Sequence, residues 1–140
     1  RGDLMQGYNL VAVFNKERTK MLMCKRVKNP YLGLINMVGG KIEKGEDHEA
    51  AAYRELFEET GITMGQIKLT HLMDFTYHLD NCYVEVYVGA LNCEPKVHGN
   101  ENPLFWSDLD RDFFDMKEYA GEGNIGHIME HIKMYKERLL

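Results

Sequence analysis

Hydrophobic and polar residues alternate in two rhythms along this chain, and the switches between them outline its elements. Residues 8–15 alternate and are rich in β-formers, residues 20–27 follow after a charged turn, and together they predict a hairpin. Asn29-Pro30 and Gly33 mark a loop, and the short apolar run 35–38 stops at Gly39-Gly40. The period then lengthens. Ala50, Ala51, Ala52 and Leu56 supply helix propensity and a small-residue face able to lie close to a sheet. Asp47 suits the N-cap of that helix, which is expected to reach about residue 60, where Gly61 stands at the C-cap position.

Strand-like segments return over 66–77 and 82–91, joined by a turn at Asp80-Asn81. In the second, Val84, Val86 and Val88 face one way and Tyr83, Glu85 and Tyr87 the other. A polar loop, 94–102, leads to a short strand-like segment, 104–107. The glycine-punctuated stretch 121–126 reads either as a mobile loop or as the entry to a last amphipathic helix over about 125–139. No internal repeat, low-complexity tract or linker interrupts the pattern, so a single domain over 1–140 is expected. Strands, a helix, more strands and a terminal helix predict an α+β chain folded as a mixed α/β/α sandwich.

Composition narrows the setting. The net charge of −5 argues against an extended nucleic-acid surface. No apolar run approaches the roughly 18 residues that cross a bilayer, and no signal-peptide pattern opens the chain. The chain begins at Arg1, and no function is expected of its first residues. Cys24, Cys82 and Cys93 are odd in number and lack CxxC spacing, which argues against a disulfide framework or a zinc site and makes the cytoplasm the expected location. The histidines are scattered; only His127 and His131 share a helical spacing, and a surface role is expected for both.

Residues 40–62 carry the chemistry. They set Gly40, an isolated Glu46, and then Arg54, Glu55, Leu56, Glu58, Glu59, Gly61 and Ile62 at fixed intervals. Residues at i, i+3 and i+4 share a helix face, so Glu55, Glu58 and Glu59 project together. Three carboxylates on one face repel one another unless something positive sits among them, and a hard divalent cation with oxygen ligands, Mg²⁺ above all, suits that place. The plain alternative is a solvated acidic helix with a glycine cap.

The spacing Gly, five residues, Glu, seven residues, Arg-Glu-aliphatic-x-Glu-Glu-x-Gly-aliphatic resembles the signature of the Nudix hydrolases at every fixed position. Chance would give it on the order of once in a million such chains or rarer. The resemblance is specific over 40–62 and looser, but in register, from about Tyr8 to Met116. It implies the Nudix fold, a mixed central sheet between helices. It also implies hydrolysis of a nucleoside diphosphate linked to a further group X, with Mg²⁺ as cofactor and Mn²⁺ able to substitute. By the same resemblance Glu55, Glu58 and Glu59 are metal ligands with the backbone carbonyl of Gly39, and Arg54 and Glu46 hold the motif in shape. For the general base it points first to Glu55. Glu101, where several members place an extra metal-binding glutamate, and Glu85 are outside candidates, each set against a solvated role.

For the substrate, Lys25 and Arg26 end the second strand near where the family binds phosphates. Asn36 and Lys41 stand in Asn-Met-Val-Gly-Gly-Lys. That segment resembles the purine nucleoside triphosphatases that sanitise oxidised nucleotides, which read Trp-Asn-Gly-Phe-Gly-Gly-Lys and use the Asn on the purine edge. Ile35 replaces the Trp and Met37 the Gly. Their later Trp-Pro-Asp-Asp is Lys117-Glu118-Tyr119-Ala120 here, so the oxidised-base pocket is not carried over intact. Trp106 matches a framework tryptophan. The expected substrate is a purine (deoxy)nucleoside triphosphate, 8-oxo-dGTP-like compounds included, cleaved to monophosphate and pyrophosphate. The alternatives are ADP-ribose, a nucleotide sugar, a dinucleoside polyphosphate or an RNA 5′ end. A Nudix domain that senses nucleotide without hydrolysis is a further alternative, although such domains usually lose motif glutamates and this chain keeps them all. A homodimer, as in many relatives, would use an exposed strand edge or the stripe of the last helix.

Overall fold

The computed structural model describes residues 5–140, and Arg1 lies outside them. Strand β1 (Gln6–Phe14) is the axis of a seven-stranded mixed sheet. Val11, Ala12 and Val13 are fully buried, as a strand covered on both faces requires. Along all nine residues β1 pairs in parallel with β6 (Cys82–Ala90). Its other edge is shared. Tyr8–Val11 pair with β4 (Val38–Lys41), and Phe14 faces Met21 of β2 (Lys20–Lys25), completing the expected hairpin. Beyond β2 lie β3 (Ile35–Asn36) and β7 (Leu104–Asp108), and β5 (Thr70–Tyr77) flanks β6 as the edge strand.

Alternation sorts the side chains onto two cores. Val11, Val13, Leu22, Tyr87 and Leu91 pack beneath α1 (His48–Thr60), through its Ala52 and Leu56. Ala12, Phe14, Met21, Val86 and Val88 pack on the opposite face beneath α2 (Asn124–Met134), through Ile125, Ile128, Met129 and Ile132. The layers are therefore helix, sheet, helix, as the pattern of elements predicts.

Four local expectations change. The run 35–38 divides into β3 and β4, because Met37 turns into the α2-side core between them. The segment 66–77 becomes a strand only at Thr70; its start is taken by a turn in which Gln66 N–H donates to Thr63 O and Gln66 Oε1 accepts from Thr63 N–H. The last helix breaks at Tyr135 into α2 and α3 (Lys136–Leu139), and no proline or glycine accounts for the break. Its apolar stripe is buried against the sheet, so the last helix offers no such face to a second copy.

Candidate active site

The helix that carries the motif is fixed at both ends by its own sequence. Asp47 is extended (φ −62°, ψ 130°) and its carboxylate accepts from Ala50 N–H at 2.9 Å. Gly61 adopts φ 81°, which a residue with a side chain rarely does, and its N–H donates to Phe57 O at 2.8 Å. Burial of Ala51, Ala52 and Leu56 against the sheet sets the rotation of the helix, and Arg54, Glu55, Glu58 and Glu59 are left along its flank.

Arg54 organises that flank. Nε and Nη2 donate to the two oxygens of Glu46, at 2.6 and 2.9 Å, in a bidentate fork. Nη1 donates to Glu55 at 2.9 Å and to Glu58 at 3.1 Å, and Nη2 also donates to the Lys41 carbonyl at 3.0 Å. Hydrogen bonding to Arg54 is the main reason the Glu46 carboxyl is held down at about 2. Glu46 also accepts from Glu43 N–H at 3.0 Å, so it ties the loop before α1 to the guanidinium.

Glu55 and Glu59 behave in the opposite way. Burial pushes the Glu55 carboxyl up, Arg54 opposes this, and Glu58 and Glu46 push it further. Burial likewise raises Glu59, followed by the charges of Glu55 and Glu101, with Arg26 pulling the other way. Among the described residues Glu59 makes no hydrogen bond or ion pair. The backbone is cut to fit this arrangement: a side chain on Gly40 would overlap the Glu55 carboxylate, and one on Gly39 would overlap the Asn9 carbonyl. Half-buried carboxylate oxygens in excess of the local positive charge are the donor set of a hard divalent cation, so the residues present fit one.

The other sequence candidates divide. Arg26 and Glu101 are near enough for their charges to act on Glu59. Glu101 is paired with Lys28 at 2.9 Å, which lowers its carboxyl. Lys25 is exposed at the end of β2, and Lys41 is exposed with its carbonyl on Arg54. Asn36 lies opposite Cys24, on the α1 side of the sheet, and its Oδ1 accepts from Met37 N–H at 2.9 Å, while its Nδ2 has no hydrogen bond among the described residues. Trp106 is half-buried against the α1-side core, a framework position. Glu85 is not a solvated glutamate: it is 2% exposed, because α1 covers that face of β6, and His48 and Tyr87 hold its two oxygens.

Sequence reasoning missed Asn9. It is 1% exposed, its Oδ1 accepts from Gly40 N–H at 3.0 Å, and its Nδ2 has no partner among the described residues. The available signal was a lone amide facing the same side as Val11 and Val13 of an otherwise apolar strand. Cys24, buried beside this region, has its thiol pushed up to about 11, first by burial and then by the charge of Glu59.

The family model described as NUDIX domain matches residues 5–129. The chain is 46% identical over 43 residues to an ADP-ribose pyrophosphatase of Methanocaldococcus jannaschii, covering 31% of this chain and 25% of that protein. It is 31% identical over 68 residues to an 8-oxo-dGTP diphosphatase of Escherichia coli, covering 48% of this chain and 53% of that protein. These matches span a quarter and about half of the two relatives' lengths. A C. elegans Ap4A hydrolase, solved as a binary complex, superposes with TM-score 0.75 at 19% identity over 95% of this chain and 98% of that one, a likeness of fold.

Proposed function

The chain belongs to the NUDIX family, and from that premise we propose that it is a Mg²⁺-dependent pyrophosphohydrolase, with Mn²⁺ able to substitute. Its substrates in this reading are nucleoside diphosphates linked to X, and first among them purine (deoxy)nucleoside triphosphates, split to monophosphate and pyrophosphate. One observation carries the reading: a single guanidinium holds Glu46, Glu55 and Glu58 while Glu55 lies against the Gly40 backbone. That builds a carboxylate cluster whose shape is fixed and whose charge is left unbalanced.

Glu55, Glu58 and Glu59, with the Gly39 carbonyl, are the proposed ligands, and Glu101 is a further oxygen donor for a second ion. The ion supplies the positive charge that screens a diphosphate and acidifies a water. The chain's own residues do the rest. Arg54 and Glu46 keep the carboxylates in place as positioning residues. Glu55, whose carboxylate lies against the Gly40 backbone, is the first candidate for general base. Arg26, Lys25 and Lys41 are the proposed phosphate contacts. Asn36, with its oxygen already engaged, donates from Nδ2 to an acceptor on the base edge.

A second reading rests on the 46% identity to the ADP-ribose pyrophosphatase: the same cluster acting on ADP-ribose. A hydrolysis panel separates the two. Normal and 8-oxo purine triphosphates, pyrimidine triphosphates, ADP-ribose, nucleotide sugars and diadenosine polyphosphates are incubated with Mg²⁺, and the products are resolved by ion-exchange chromatography. Monophosphate plus pyrophosphate from the purine triphosphates is expected. Preference for ADP-ribose selects the second reading, and turnover unchanged in Glu58→Gln overturns both.

A further inference from the structure

The orphaned amide of Asn9 sits in a row of residues that crosses the sheet beneath α1. Asn9 pairs with Gly40 of β4 on one side and with Glu85 of β6 on the other, so the three positions lie abreast and face the helix. One face of α1 repeats that order above them. His48 Nδ1 lies 2.8 Å from Glu85 Oε2 at one end of the row, and at the other the Glu55 carboxylate fills the space where a Gly40 side chain would be. From β4 across β1 to β6 is about 10 Å, and the rise along α1 from His48 to Glu55 is also about 10 Å. Helix and row therefore run in step. Ala51 and Ala52, both fully buried, come between His48 and Glu55 and leave Asn9 covered.

Two hydrogen-bonding groups in this row are unspent. Asn9 is 1% exposed; its Oδ1 accepts from Gly40 N–H at 3.0 Å, and its Nδ2 has no acceptor among the described residues. Glu55 Oε1 accepts from Arg54 Nη1 at 2.9 Å, whereas no donor among the described residues reaches Oε2, although the side chain keeps only 12% of its exposure. Oε2 is also the Glu55 atom nearest Gly40, 2.2 Å from where a Cβ would stand. A donor without an acceptor and a carboxylate oxygen without a donor thus flank the same glycine. An unpaired amide inside a strand covered on both faces costs stability, and an aliphatic side chain, as at Val11 and Val13 on the same face, would carry no such penalty. Packing alone does not account for Asn9.

We infer that Asn9 is a positioning residue of the site: Oδ1 fixes the Gly40 backbone, and Nδ2 is the donor for Glu55 Oε2 when Glu55 takes up a divalent cation. The inference rests on the Mg²⁺-dependent reading above and adds to it the residue that orients Glu55 from beneath. Arg54 holds the same carboxylate by Oε1 from the flank, so each oxygen has its own partner and the plane of the group is fixed. The terminal torsion of a glutamate is broad, so a turn of the carboxylate closes the pair. Outer hydrogen bonds of this kind orient a ligating carboxylate, and losing one typically costs about 10–100-fold in metal affinity. Gly39 depends on the same residue, because a side chain there would overlap the Asn9 carbonyl. The backbone and the amide of Asn9 together set both glycines.

The test uses the full chain, stripped of metal by chelation, with Mn²⁺ as the probe; binding is read from loss of the free-ion electron paramagnetic resonance signal, and Mg²⁺ by competition. Asn9→Val and Asn9→Thr differ by one hydroxyl, which can accept from Gly40 N–H and donate onward where a methyl cannot. Asn9→Val is expected to weaken Mn²⁺ binding about tenfold and Asn9→Thr less than about threefold. The metal-free Tm of each should stay within a few degrees of wild type, because Asn9→Val removes one unpaired donor while it unpairs Gly40 N–H. On the substrate that the hydrolysis panel identifies, kcat of Asn9→Val falls and KM stays within about twofold, since Asn9 is buried beneath α1 and touches no substrate. In a Glu55→Ala background the effect of Asn9→Val on Mn²⁺ affinity shrinks to under about twofold. Equal losses in the two variants, no loss in Asn9→Val, or a loss undiminished in Glu55→Ala overturns this inference alone. A wild-type chain that neither binds Mn²⁺ nor turns over nucleotide overturns the reading on which it rests.

Discussion

Replacing Glu46 with Gln tests whether Arg54 is positioned as argued, because Glu46 is the partner that takes two of its donors. The carboxyl is held at about 2 rather than its ordinary 4.5, chiefly by hydrogen bonding to Arg54. A difference of that size corresponds to about 3 kcal/mol of interaction between carboxylate and folded protein. The side chains of Arg54 and Glu46 keep 29% and 18% of their exposure, so solvent screening reduces the expected loss of stability to about 1–2 kcal/mol. The sign with pH follows from the depressed value. The contribution is fully present above the ordinary carboxyl range and is lost as pH falls toward about 2.

Urea denaturation of both proteins at pH 7 and pH 3, followed by circular dichroism, measures it. The gap between wild type and Glu46→Gln should be about 1–2 kcal/mol at pH 7 and shrink by about half or more at pH 3. Turnover with Mg²⁺ should fall about 10–100-fold, since a freed guanidinium no longer fixes Glu55 and Glu58. A penalty of equal size at both pH values, or none at pH 7, would refute the view that a charged Glu46–Arg54 fork sets the geometry of the site.

Three further substitutions probe the site from other directions. Glu59→Gln should leave the metal-free protein as stable or raise its Tm by a few degrees, because a carboxyl raised by burial contributes stability that is lost as pH climbs from the ordinary range through its raised value. The same change should lower Mg²⁺-dependent turnover at least about 100-fold, and a fall in Tm in thermal melts would contradict the charge argument. The nearest atoms to a Gly40→Ala side chain are those of the Glu55 carboxylate, the far end of a flexible side chain, so melts should shift little while activity drops about 100-fold; a collapsed fold with no activity-specific loss would refute that split. Asn36→Ala should raise KM for purine triphosphates about 5–10-fold with kcat kept, and an unchanged KM in steady-state assays would remove Asn36 from the base contact.

What could be read from the sequence was what is local. The Asp47 and Gly61 caps, the shared face of Glu55, Glu58 and Glu59, and the two-sided alternation of β6 all depend on residues within a few positions of one another, and all are found in the fold. What escaped was set by contacts distant in sequence. Glu85 alternates like a solvent-facing residue and is buried only because α1, 25 or more residues earlier in the chain, crosses over it. His71 and Asp74 meet only because β5 takes an extra residue against β6, and nothing in residues 66–77 marks where that residue goes. Asn36 occupies the expected place in the chain, yet half of its hydrogen-bonding capacity is spent on its own backbone, which spacing cannot show.

The charge balance of the motif explains why its shape and its reactivity can be assigned to different residues. A guanidinium carries five N–H donors, and all five of those of Arg54 are engaged, by Glu46 twice, Glu55, Glu58 and the Lys41 carbonyl. It therefore has nothing left for Glu59, and it cannot turn toward Glu59 without releasing the loop that Glu46 anchors. Arg26 acts on Glu59 through its charge alone, and Glu101 raises the same carboxyl while it stays paired with Lys28. One carboxylate thus serves the scaffold, and its charge is settled within the protein. Glu55 and Glu59 are both pushed up by burial and by neighbouring carboxylates, and in the proposed reading a cation would relieve that repulsion in the folded state alone. The divalent-ion affinity proposed for the site is in this sense a consequence of how completely Arg54 is used.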